Sequence, residues 1–281
     1  MHSPLEIALN YIEVSIHKTN LSAFKMVVLG IFAGIFIGFA GIASTVAAST
    51  VSNPSLGKLV GAVVFPAGMA MVLIAGSELF TGNTLIILAV LEKRISVLRM
   101  LKNWFFVFIG NFIGAASVAL GVVLGGTPKL FEGELLNGIL RSGASRCNLG
   151  FGEALVRGIL CNVLVCIAVW MSFAAKNVEG KLLTSFWPVM VFVLCGFEHS
   201  IADMYFGTAA LFAQTKYEVA ADGLNIANFF INCMIPVTLG NIIGGSGIVG
   251  GGYWLGYLRH TPLGSASKAQ EQEEIDIAEE Y

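Results

Sequence analysis

Apolar residues run almost unbroken from Met26 to Val51, and the same pattern recurs along the chain between short polar segments. An apolar run of about 20 residues, coiled as a helix, matches the hydrocarbon thickness of a bilayer. The pattern predicts spans over residues 26–51, 59–76 (resuming at 85–91), 104–125, 154–175, 186–214 and 229–258. Ahead of them, residues 3–18 set Leu5, Ile7, Ala8, Tyr11, Ile12 and Val14 among polar side chains, the pattern of an amphipathic helix lying on a membrane surface. Between the third and fourth spans, residues 126–148 hold an amphipathic stretch, Lys129 to Leu140, followed by Arg141 and Arg146. The expected organisation is an N-terminal helix (1–25), a six-span domain (26–260) and a solvated acidic tail (261–281).

Two spans are interrupted. Gly76-Ser77-Glu78-Leu79-Phe80-Thr81-Gly82-Asn83-Thr84 falls inside the second, and Phe197-Glu198-His199-Ser200-Ile201-Ala202-Asp203 inside the fifth. Ionisable groups at membrane depth cost several kcal/mol and persist where they line a watery path or bind something. Such sequences read as helices broken at membrane depth, with Glu78 and Glu198 accepting the backbone N–H groups that the breaks expose. Asp203 is a further carboxylate beside the second break.

The interruptions also recur in register. Gly76-Ser77-Glu78 matches Gly196-Phe197-Glu198, and Gly110-Asn111-x-x-Gly114 in the third span matches Gly240-Asn241-x-x-Gly244 in the sixth. Residues 26–126 and 150–258 therefore read as two repeats of three spans. Three being odd, the second repeat must insert upside down, and paired broken helices in inverted repeats point to a transport site near the midplane. Asn111 and Asn241 read as hydrogen-bonding links between helices, beside glycines that permit close approach.

Composition agrees with a polytopic membrane protein: 56% hydrophobic residues, mean hydropathy +0.80 and 12% charged residues, against about 25% charged in soluble domains. A net charge of -2 without a basic patch speaks against nucleic acid as a partner. The five cysteines form no CxxC pair, and four lie in apolar stretches as packing residues. No apolar core ending in a cleavage site opens the chain. Lys93, Arg94, Arg99 and Lys102, after the second span, favour cytoplasmic termini.

With these residues in place, three stretches resemble the formate/nitrite transporter family. Leu73-Ile74-Ala75-Gly76-Ser77-Glu78-Leu79-Phe80-Thr81-Gly82 is similar to its first signature, Gly158 through Ala168 to its second, and Phe197-Glu198-His199-Ser200-Ile201-Ala202 to its histidine loop. The resemblance implies an all-α, aquaporin-like fold with helices two and five broken, a homopentamer in the inner (cytoplasmic) membrane, and one pore per protomer for small monovalent anions such as formate, nitrite or hydrosulphide. It implies a channel or transporter and not an enzyme, with no cofactor and no metal. His199 matches the central pore histidine, Thr81 the threonine of the first break, and Asn162 a pore-lining position. Leu79, Phe80, Val165 and Phe192 match the constrictions, and Arg146 stands where a lysine at the outer mouth attracts anions. Asp203 departs from the family, whose formate-type members have asparagine there.

The chemistry fits that reading. Apolar rings exclude ions by excluding water, and an imidazole, titrating near about pH 6.5 when unperturbed, can lend an anion a hydrogen bond or a proton. An aquaporin-like pore for water is the alternative, although Asn53-Pro54-Ser55 lies in a turn between spans. A haem-binding redox subunit needs two histidines at membrane depth, and only His199 is so placed, His2, His17 and His260 lying near the ends of the chain.

Overall fold

The computed structural model describes residues 1–259, so the expected acidic tail, 261–281, lies outside the described residues. Among these residues the fold is all-helical. Ten helices follow in order: α1 (Pro4–Asn20), α2 (Ala23–Ala48), α3 (Pro54–Ala75), α4 (Phe80–Leu91), α5 (Val97–Leu124), α6 (Glu134–Cys147), α7 (Phe151–Ala174), α8 (Val178–Cys195), α9 (Ser200–Tyr217) and α10 (Ile226–Leu258). Six of them, α2, α3, α5, α7, α8 and α10, are long and apolar enough to cross a membrane. This is a multi-pass membrane protein.

Most helix starts are written locally. Ser3 and Glu6 form a reciprocal capping box on α1 with Pro4 in its first turn. Ser22, Asn53, Ser96, Asn177 and Asn225 each accept a backbone N–H in the first turn of the helix that follows. At the two interruptions, α3 and α8 end on Gly76 (φ 78°) and Gly196 (φ 70°), left-handed positions that favour glycine. The chain is extended at Leu79 and at His199, and α4 and α9 restart one residue later.

The N-terminal helix departs from expectation. Its apolar stripe faces the protein: Ile7, Ala8, Tyr11 and Ile12 are buried. The Tyr11 ring packs edge-on against Phe173 at 5.2 Å, and its hydroxyl donates to the Gly82 carbonyl at 2.9 Å. Lys18 on the same helix finds a carboxylate in the first break. An amphipathic stripe carrying a tyrosine and a lysine with such partners is satisfied better by protein than by lipid, a distinction periodicity does not make.

Two helix pairs, α2 with α5 and α7 with α10, meet with their backbones almost touching. A Cβ built on Gly114 falls 2.0 Å from the Ile31 carbonyl oxygen, and one on Gly240 falls 2.2 Å from that of Leu155. Without a hydrophobic drive between helices in lipid, such approach is a principal source of association. Gly240→Val is expected to force α7 and α10 apart and lower stability by at least about 3 kcal/mol. Thermal denaturation in detergent measures this, and Gly121→Val, where a Cβ meets open space, is the matched control.

Candidate functional site

The two breaks come together in the interior. Asn111 on α5 receives the Phe80 N–H on its Oδ1 at 3.0 Å, and its Nδ2 donates to the carbonyls of Gly30 and Glu78, each at 2.8 Å. Asn241 on α10 repeats the arrangement. Its Oδ1 takes the Ser200 N–H at 2.9 Å, and its Nδ2 donates to Gly158 O at 2.8 Å and Glu198 O at 3.1 Å. The backbone groups freed by the breaks are thus satisfied by two amides, as burial in protein at membrane depth demands. This corrects the role expected of Glu78 and Glu198. An amide supplies both an acceptor and donors, which a break exposing N–H and C=O together requires and a carboxylate lacks.

The glutamates instead meet cations. Glu78 Oε1 lies 2.7 Å from Lys18 Nζ, and its Oε2 accepts from Asn83 Nδ2 at 2.6 Å, while Lys18 also donates to Asn83 Oδ1 at 3.1 Å. On the other side, Arg146 Nε lies 2.7 Å from Asp203 Oδ1 and 3.3 Å from Glu198 Oε2, and Arg157 NH1 lies 3.7 Å from Glu198 Oε1. Arg146 also donates through NH1 to Ser142 and lies over the Phe206 ring at 4.2 Å. The cation expected to attract anions at the mouth is therefore a half-buried partner of two carboxylates.

Between these clusters stand Thr81, at the start of α4, and His199, the N-cap of α9, with Thr81 Oγ1 2.9 Å from His199 Nε2. His199 Nδ1 accepts the Ala202 N–H at 3.1 Å. A ring nitrogen that accepts carries no proton, so the neutral ring bears its hydrogen on Nε2 and donates it to Thr81. The Thr81 hydroxyl hydrogen then remains for another acceptor. Both side chains are buried.

The Phe192 ring is stacked on His199 with centroids 5.7 Å apart and meets Phe65 edge-on at 5.9 Å. These three rings belong to the wall of a cavity of about 690 Å³, whose lining also includes Lys58, Arg141, Arg146 and Arg157. The cavity opens where α2 ends and α3 begins, while α1 packs near the opposite end of α2. Phe80 is turned away from it into a ring cluster with Phe108 at 5.0 Å and Trp104 at 6.0 Å. Leu79 and Val165 are buried but are not among the cavity-lining residues. Asn162 binds the first break to the sixth span, its Nδ2 donating to Thr81 O, Thr84 Oγ1 and Asn241 O at 3.2, 3.0 and 2.6 Å.

Lys18, Asn83, Lys58 and Arg157 were missed as site residues. The available signal was the repeat itself: a cation serves Glu198, so one was owed to Glu78.

The sequence model of the family described as formate/nitrite transporter matches residues 5–255. The chain belongs to this family. It is 36% identical over 262 residues to the formate channel FocA of Haemophilus influenzae, covering 88% of this chain and 92% of that one. It is 35% identical over 260 residues to FocA of Escherichia coli K12, with 88% and 91% covered. Among solved structures, a pentameric formate channel with formate bound matches at TM-score 0.74 and 33% identity, over 84% of this chain and 98% of that one. An FNT family ion channel matches at TM-score 0.77 and 28% identity, over 89% and 97%.

Proposed function

We propose that the chain forms a selective channel for small monovalent weak-acid anions, formate first and nitrite or hydrosulphide as alternatives. In this reading it is a homopentamer in the cytoplasmic membrane, with cytoplasmic termini and one pore in each protomer. The observation that carries the reading is the His199–Thr81 hydrogen bond at the meeting point of two helix breaks, beside a cavity walled by cations. The matching Asn111 and Asn241 networks, one in each set of three spans, support an inverted repeat, since three crossings reverse direction.

The pathway follows from the geometry. An anion entering from the cavity is drawn by Lys58 and Arg141, for which no carboxylate partner is described, while Arg146 is already paired. Phe65 and Phe192 then strip water from it. At this point His199 Nε2–H turns from Thr81 to the anion, and the Thr81 hydroxyl supplies a second hydrogen bond. The Ala202 N–H held on Nδ1 keeps the ring neutral and its tautomer fixed through the exchange. A neutral donor suits a weak acid, whose own proton equilibrium lets it cross the apolar zone, and gives chloride too little in exchange for its hydration.

Liposomes carrying the purified protein test the reading by flux of formate, nitrite, hydrosulphide and chloride between about pH 5 and pH 9, a range that brackets imidazole titration. Formate is expected to pass with chloride excluded. Water permeation without anion flux would overturn the proposal and restore the aquaporin-like alternative.

A further inference from the structure

The two carboxylate clusters are built on one plan with one atom changed. In the first half, Glu78 is followed five residues on by Asn83, whose Oδ1 accepts from a cation, Lys18, at 3.1 Å and whose Nδ2 donates to Glu78 Oε2 at 2.6 Å. In the second half, Glu198 is followed five residues on by Asp203, whose Oδ1 accepts from a cation, Arg146, at 2.7 Å. The donor corresponding to the Asn83 amide is the open question, because a carboxylate has none. Asp203 Oδ2 and Glu198 Oε2 are both buried and both without a hydrogen-bond partner. The residues carrying them are 0% and 6% exposed. Buried polar atoms are rarely left so, and two carboxylate oxygens facing one guanidinium nitrogen repel unless a proton lies between them.

We propose that Asp203 holds a proton on Oδ2 and donates it to Glu198 Oε2, making the second break a proton-binding site with no counterpart at the first. One proton satisfies both orphan oxygens and reproduces the Asn83–Glu78 bond. It also changes the charge of the cavity wall. With Asp203 neutral, Arg146 and Arg157 face one carboxylate; with Asp203 ionised they face two, and the positive charge offered to an entering anion falls by one unit, leaving Lys58 and Arg141.

The surroundings of Asp203 are otherwise these. Arg146 and Cys147 come from α6, Arg157 and Cys161 from α7, Cys233 from α10 and Lys58 from α3, with His199 and Glu198 at the break itself. The cavity-lining part of α2 offers the uncharged Ser44 and Thr45, α4 carries no charged residue, and the charged residues of α5, Arg99 and Lys102, lie in its first two turns. Arg146 opposes the proton and Glu198 favours it. Anion flux is therefore expected to be highest when the proton is bound and to fall as pH rises through its loss.

The effect on flux rests on the cavity being the anion path; the proton site does not. Infrared spectra of the intact wild-type protein are the direct measurement. A protonated carboxyl stretch is expected at neutral pH, disappearing at alkaline pH and absent from Asp203→Asn. No such band in the wild type overturns the proposal, even if the variant does not fold. In liposomes, the ratio of wild-type to Asp203→Asn formate flux is expected to fall about tenfold from acid to alkaline pH, since one charge near the path is worth on that order. The ratio cancels the titration of the substrate itself. A ratio constant with pH overturns the control of flux by this proton. A carboxyl band in a protein that passes no anion upholds the proton site and overturns the channel reading instead.

Discussion

His199→Asn is expected to leave the protein folded and to cut weak-acid anion flux by about ten- to a hundredfold, the worth of one to two buried hydrogen bonds. The choice of Asn separates two jobs that the imidazole does at once. As the N-cap of α9 it accepts the Ala202 N–H, and asparagine is among the best residues at that position. As the donor between the breaks it reaches Thr81 Oγ1 from Nε2, the far side of the ring. An amide stops at the atom nearest the backbone and leaves that donor missing beside the rings of Phe65 and Phe192, where a dehydrated anion is left with the Thr81 hydroxyl alone. Wild-type flux at every pH from a variant of unchanged thermal stability would mean that His199 is only a cap.

Much of the scaffold was legible in the sequence, and the reasons are local. Spans were visible because lipid imposes length and polarity on every crossing helix. The breaks were visible because Gly76 and Gly196 stand two residues before Glu78 and Glu198 in apolar surroundings. Asn111 and Asn241 were marked as links by the glycines flanking them, and the structure gives each three hydrogen bonds. Partner choice was not legible. Lys18 meets Glu78 across 60 positions and Arg146 meets Asp203 across 57, separations at which nothing in local sequence specifies a pair. The same limit misplaced α1, whose stripe is equally suited to lipid or protein, and hid that Arg146, expected to attract anions at the outer mouth, pairs with Glu198 and Asp203.

The second large effect lies in those two amides. Asn241→Leu leaves the Ser200 N–H and the carbonyls of Gly158 and Glu198 without their partner. Each such loss costs roughly 1 to 3 kcal/mol in protein interiors, and at membrane depth no bulk water enters to replace it, so a total of about 4 to 6 kcal/mol is expected. Leucine is close to asparagine in size, which confines the change to hydrogen bonding. Asn111→Leu removes the same three bonds from the first break, at Phe80, Gly30 and Glu78, and should cost about as much. Asn232→Leu provides the scale, since the bond described for that side chain is a single one, to Cys147 O at 3.0 Å. Thermal midpoints of the three variants in detergent decide the matter. Equal, large losses for Asn111 and Asn241 with a small loss for Asn232 are expected if the amides hold the breaks open. Losses no greater than that of Asn232 would assign the breaks to the surrounding packing, and Thr81 and His199 would then owe their 2.9 Å approach to something other than the two asparagines.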